Sequence, residues 1–139
     1  KLFGLIPIID NRGDIMNQAE TVTVFNDMCL MAPATLINKN IQWEPIDSNS
    51  AKARFTCNGI SISATLFINP EGQLTNFISD DRYAVGEMKQ YRFSTPVNDY
   101  KNVNGYHVMG YGETVWHYPE GAFTYGKFHL KSVAYNVDY

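Results

Sequence analysis

The chain has 139 residues, of which 45% are apolar and 18% charged: enough apolar material to bury one core, and too little charge to hold the chain unfolded. A formal net charge of −3, from 11 Lys and Arg against 14 Asp and Glu, excludes the clustered positive charge that nucleic-acid binding requires. No apolar run approaches the roughly 20 residues of a membrane-spanning helix.

The 14% of aromatic residues favours sheet over helix, because flat rings pack well on a pleated surface. One domain over residues 1–139 is expected, since no linker or composition shift divides the chain. Residues 2–9 form an apolar run broken by Gly4 and Pro7 and read as an edge strand. Asp10, Asn11, Arg12, Gly13 and Asp14 then read as a turn, with a helix following from Asn17 or Gln18 to Ala32. Asn17 is the expected N-cap, and Glu20 completes a capping-box-like pair. Val22, Phe25, Met28, Cys29 and Ala32 recur at helical spacing, which predicts one apolar stripe against a sheet. Pro33 ends the helix, and residues 34–37 add a short turn.

Beyond Ile41 the apolar period falls to two. Residues 41–46 read as a strand carrying Trp43, and residues 52–58 alternate Lys52, Arg54 and Thr56 with Ala53, Phe55 and Cys57. Asn58-Gly59 is a hairpin signal of type I′. The partner strand over residues 60–69 turns at Pro70-Glu71-Gly72 into a third strand over residues 73–79, completing a meander. Residues 80–90 read as a loop and residues 91–95 as a strand. Asn104-Gly105 predicts a second hairpin, between residues 100–103 and 106–109. Pro119-Glu120-Gly121 repeats the earlier turn, between a strand over residues 113–118 and a long one over residues 122–137.

The chain has no nucleophile elbow, P-loop, dinucleotide fingerprint or zinc-binding helix, so no catalytic residue, metal ligand or cofactor is assigned. His107, His117 and His129 lie on separate strands at spacings that demand no metal. In the segment Asp80-Asp81-Arg82-Tyr83, Arg82 has the planar fork that anchors a carboxylate or phosphate, while a structural Arg–Asp pair is the simpler use of the same residues. Trp43, Tyr91, Tyr106, Trp116, Tyr118 and Tyr125 are rings suited either to a ligand groove or to an ordinary strand face. Cys29 and Cys57 fit two reduced core thiols or one bridge between helix and strand.

Several segments together resemble an uncharacterised bacterial family described only as a domain of unknown function. They are Phe3-Gly4-Leu5-Ile6-Pro7, Ala32-Pro33-Ala34-Thr35-Leu36, Ile41-Gln42-Trp43-Glu44, Ser79-Asp80-Asp81-Arg82-Tyr83, Ser94-Thr95-Pro96, Val115-Trp116-His117, Glu120-Gly121 and Tyr125-Gly126. The resemblance implies that the chain is the C-terminal part of a longer protein, with a sheet edge near residues 2–9 that has lost its neighbour. The order of elements is also similar to the half-barrel of lipoprotein carriers of the LolA type, which implies a periplasmic or cell-envelope setting and an acyl ligand. The residues themselves leave a cytoplasmic one open.

The expected fold is therefore α+β and mostly β: a curved antiparallel, half-barrel-like meander with one main helix packed on one face. The leading expectation for function is a non-enzymatic domain binding a lipid or other apolar ligand in a groove lined by Trp43, Arg82, Tyr91, Trp116 and His117. A hydrolase or isomerase using Asp81, Arg82 and His117 is one alternative. Another is an interaction module that pairs through an exposed strand edge, with a second copy or with a missing N-terminal segment.

Overall fold

The first segment folds as one continuous helix, α1 (Leu2–Met31), although Gly4, Pro7 and Gly13 interrupt its sequence. The computed structural model describes residues 2–134, with side chains from Gly13 onward. The strand expected over residues 2–9 and the turn after it are thus replaced by helix, and Asn17 lies inside α1 instead of capping it. A short apolar run carries no period that separates strand from helix. An internal glycine costs a helix only about 1 kcal/mol, so Gly13 alone does not end a helix whose second half is held by packing. α1 ends two residues ahead of Pro33, because the residue before a proline is pushed out of helical geometry. A 3-10 turn over Pro33–Ile37 follows, at the place expected.

Twelve strands come next: β1 (Ile41–Asp47), β2 (Ser50–Cys57), β3 (Ile60–Ile68), β4 (Leu74–Ser79), β5 (Tyr83–Ala84), β6 (Lys89–Gln90), β7 (Arg92–Ser94), β8 (Val97–Asn98), β9 (Lys101–Val103), β10 (Tyr106–Val108), β11 (Tyr111–Tyr118) and β12 (Gly121–His129). The main sheet is 8-stranded in the order β1-β2-β3-β4-β7-β11-β12, with β8 also paired to β11. It is antiparallel and curved, and it does not close, so the mostly-β fold with one main helix is as expected. Its edges are β1 and β12, and the open edge expected at residues 2–9 does not exist.

Both Asn-Gly turns form. Asn58 and Gly59 have φ of 50° and 80°, and Asn104 and Gly105 have 52° and 85°, the positive pair that a type I′ turn requires. Residues 80–90, expected as loop, contain the small β5-β6 hairpin. The last strand stops at His129 instead of running to residue 137: β11 begins at Tyr111, directly opposite His129, and beyond that pair a single backbone bond, from the Leu130 N–H to the Gly110 carbonyl at 2.9 Å, closes the ladder. Residues 135–137 of that expected strand lie outside the described residues.

Alternation along β2 and β3 buries Ala53, Phe55, Ile62, Ala64 and Leu66 on one face, the face that α1 covers through its contacts with β3, β4 and β5. From the helix, Val22, Phe25 and Cys29 enter this core. The Phe25 ring stacks on Phe55 at 5.0 Å and meets Phe77 edge-on at 5.9 Å. Cys29 and Cys57 are both free thiols, and burial pushes the Cys29 thiol up to about 12. That leaves it protonated and unreactive at neutral pH.

Candidate functional site

The site begins with a fault in strand pairing. β11 and β12 pair regularly from Tyr111 opposite His129 to Thr114 opposite Gly126, then resume with Val115 opposite Thr124. Tyr125 is left without an opposite residue, which is a β-bulge. Strict alternation would send Tyr125 to the face away from Gly126. The bulge instead lays its ring beside Trp116 and Phe93 on the helix side of the sheet, at 6.2 and 6.3 Å. Phe93 and Trp116 are register partners across β7 and β11, with ring centroids 5.5 Å apart. Tyr118 stacks on Trp116 at 6.1 Å and meets Tyr91 edge-on at 4.8 Å. The result is a continuous aromatic shelf.

Arg82 lies on that shelf. Its guanidinium carbon is 4.4 Å from the Phe93 ring centroid and 4.9 Å from that of Trp116, and Nη1 donates to the Tyr125 hydroxyl at 3.0 Å. A flat, weakly hydrated cation suits aromatic faces, whose quadrupole attracts it. The Nε–H of Arg82 is buried and has no hydrogen-bond partner. From the helix, Asp27 lies close enough to feel this charge. Partial burial pushes the Asp27 carboxyl above the usual carboxylate range, and the positive charge of Arg82 opposes that rise.

Asp27 also borders an open groove of about 380 Å³ between the end of α1 and the ends of β11 and β12. Its walls are mainly Leu30, Met31, Met109, Phe128 and Leu130. The far end of the Phe128 ring lies over Gly112, where any Cβ would overlap it. Asn26, which is 5% exposed, lines the same groove with its Oδ1 unpartnered. Two other hollows differ in character. One, of about 340 Å³ beside Trp43, is lined by Gln42, Glu44, Lys52, Arg54 and Ser63; the other, of about 280 Å³, mixes Asn17, Glu20, Thr21 and Asn58 with Val24, Phe55, Cys57 and Ile60. The charges of both signs in the hollow beside Trp43, Glu44 against Lys52 and Arg54, suit a solvated surface better than a ligand site.

Of the residues expected to line one groove, the structure brings together Arg82, Trp116 and, through Tyr118, Tyr91. Trp43 stands on the opposite edge strand, 44% exposed, with its indole N–H donating to the Leu36 carbonyl at 3.3 Å. His117 follows Trp116 on β11 and so points to the other face, where its Nε2 lies 2.8 Å from Ser94 Oγ. Asp80 sits near it, held by Arg92 through paired contacts of 2.9 and 3.2 Å that keep its carboxyl below the usual range. His107 packs against Tyr100 and His129 against Tyr111. Among the described residues no three His, Cys, Asp or Glu side chains gather as metal ligands.

Asp81, Arg82 and His117 do not meet. The Asp81 carboxylate accepts the Ser63 N–H at 2.6 Å, and its carbonyl accepts from Gln18 of α1 at 2.8 Å. The register of β3 with β4 runs only from Thr65 to Ile68, so the neighbouring Ser63 is left to side chains. Ser79 Oγ donates to the Ser63 carbonyl at 2.7 Å, and Asp81 takes its N–H. Removing that acceptor leaves a part-buried backbone donor unpaired, so Asp81→Ala is expected to cost about 1–3 kcal/mol. Urea unfolding followed by circular dichroism reads this directly, and an unchanged midpoint would contradict the assignment.

Sequence reasoning missed Phe93, Asn26 and Asp27 as parts of the site. Asn26 and Asp27 carry no signal beyond being polar residues on a helix. The bulge did leave one, since an isolated glycine inside a strand pattern, here Gly126 beside Tyr125, marks such irregularities.

In comparison with known proteins, residues 1–128 match the profile described as Family of unknown function (DUF6544). No curated protein and no solved structure matches the chain, so the likeness to LolA-type carriers rests on no match.

Proposed function

The chain belongs to this family of unknown function, and we propose from its geometry that it is a non-enzymatic binding domain for an amphipathic ligand, a lipid or acyl chain with an anionic head. The apolar part would lie in the groove of Leu30, Met31, Met109, Phe128 and Leu130, and the head would meet Arg82 on its aromatic shelf. The observation that carries this reading is the unspent, buried Nε–H of Arg82, which lies on Trp116, two residues along β11 from Thr114 in the wall of the largely apolar groove. A groove of about 380 Å³ falls within the range that small-molecule sites occupy. The hydrolase reading lacks this support, because Asp81 and His117 are committed to Ser63 and Ser94 away from Arg82.

Titration with octanoate, dodecanoate and dodecanol, followed by Trp fluorescence and native mass spectrometry, tests the reading. Each buried methylene contributes about 0.8 kcal/mol, so dodecanoate should bind more tightly than octanoate, and the carboxylate more tightly than the alcohol. Failure of every chain to bind would overturn it.

The pH dependence has a defined sign. Asp27 has a folded-state pKa above its unfolded value, so it binds its proton more readily in the folded chain and favours folding as pH falls through its titration. Protonation also removes the negative charge that competes for Arg82. Dodecanoate binding should therefore strengthen as pH is lowered from neutral through the Asp27 titration, as long as the ligand stays ionised. Binding that weakens over that range would contradict the Asp27–Arg82 coupling.

A further inference from the structure

We infer that the groove selects a ligand bearing a hydroxyl group on its chain close to the anionic head, read by the side chain of Asn26. This rests on the groove reading above and adds a chemical class to it.

The argument starts from Asn26 itself. Its amide is almost completely withdrawn from solvent, at 5% exposure, and its Oδ1 has no hydrogen-bond partner. Leaving a buried amide oxygen unpaired is costly, and such groups are rare in folded proteins. Buried polar atoms without partners also occur at Asn76 and Thr95, but neither residue lines this groove. The groove walls are mainly Leu30, Met31, Met109, Phe128 and Leu130; of its other polar groups, the Thr114 hydroxyl donates to the Gly126 carbonyl, His129 packs against Tyr111, and an ionised Asp27 carboxylate only accepts. A wholly apolar ligand would leave the orphaned oxygen unpaired, whereas a hydroxyl would satisfy it. Whichever way round the amide sits, a hydroxyl serves it, since it donates to Oδ1 and accepts from Nδ2.

Position along the ligand follows from the lining of the groove. Asn26 and Asp27 line it together with Thr114, which stands two residues before Trp116 on the same face of β11, and the Arg82 guanidinium lies 4.9 Å from the Trp116 ring. Alternate residues of a strand lie about 7 Å apart, so a chain whose head meets Arg82 enters the groove and passes Asn26 within its first few carbons. A hydroxyl at the far end of the chain would lie instead among the apolar walls.

The test compares dodecanoate, 3-hydroxydodecanoate and 12-hydroxydodecanoate on the full chain by isothermal titration calorimetry. The 3-hydroxy acid should bind roughly tenfold or more tightly than dodecanoate, as expected for pairing a buried amide oxygen, and the 12-hydroxy acid more weakly than dodecanoate. In Asn26→Leu, which keeps the shape, the ratio of 3-hydroxydodecanoate to dodecanoate affinity should fall to about one. The wild-type comparison stands even if that variant fails to fold. Equal affinity of the three acids for the wild type would overturn the role of Asn26 and leave the groove reading in place. No binding of any acid would overturn both. A preference that survives in folded Asn26→Leu would also overturn the assignment.

Discussion

Replacing Phe25 with Ala is expected to destabilise the protein by about 3–5 kcal/mol, the usual cost of deleting a buried phenyl ring. Phe25 is fully buried, and its ring stacks on Phe55 and meets Phe77 edge-on. With Val22 and Cys29, it fixes α1 to the sheet. The variant loses the transfer energy of the ring, the two ring contacts and the packing around the hole left behind. Against a total stability of about 5–15 kcal/mol for a domain, this removes a large share. Urea unfolding by far-ultraviolet circular dichroism should show a strongly lowered midpoint. A midpoint within experimental error of the wild type would mean that α1 does not lie on this face.

The second large effect concerns binding. Arg82→Leu keeps an apolar body on the Phe93 and Trp116 rings while removing the charge and all N–H donors. A hydrogen bond to a charged group is worth about 1.5–3 kcal/mol, so dodecanoate affinity should fall roughly ten- to 150-fold. Dodecanol, which has no anionic head, should lose little. Arg82→Lys should lie between the two, because the ammonium keeps the charge and loses the planar fork that fits both rings and a carboxylate. A uniform loss for acid and alcohol would mean that Arg82 only shapes the shelf and does not meet the head.

Much of the sheet was legible because its signals are local. The Asn58-Gly59 and Asn104-Gly105 turns and the alternation through Ala53, Phe55, Ile62, Ala64 and Leu66 each depend on a few adjacent residues. The first helix was misjudged at its start because Gly4, Pro7 and Gly13 mimic the punctuation of a strand and turn, while tertiary packing overrides local propensity. Of the site, Arg82, Tyr91 and Trp116 were found as residue types suited to binding. Trp43 and His117 were grouped with them because the sequence does not say which strands are neighbours or which face a side chain takes. The bulge at Tyr125, the unpaired Asn26 amide and the nearness of Asp27 to Arg82 all arise from long-range register and packing. No spacing rule in the chain encodes those.

The central claim is that one amphipathic anion occupies the groove beside α1 with its head at Arg82. The most direct measurement is an amide and arginine-Nε nuclear magnetic resonance map recorded as dodecanoate is added. The account predicts saturable shifts at the Arg82 Nε–H, at residues 26–31, at Met109, and along residues 114–116 and 125–130, with Lys52, Arg54, Ser94 and His117 on the other face unmoved. Shifts that gather on that other face, or an Arg82 Nε–H that stays fixed while the ligand binds, would contradict it.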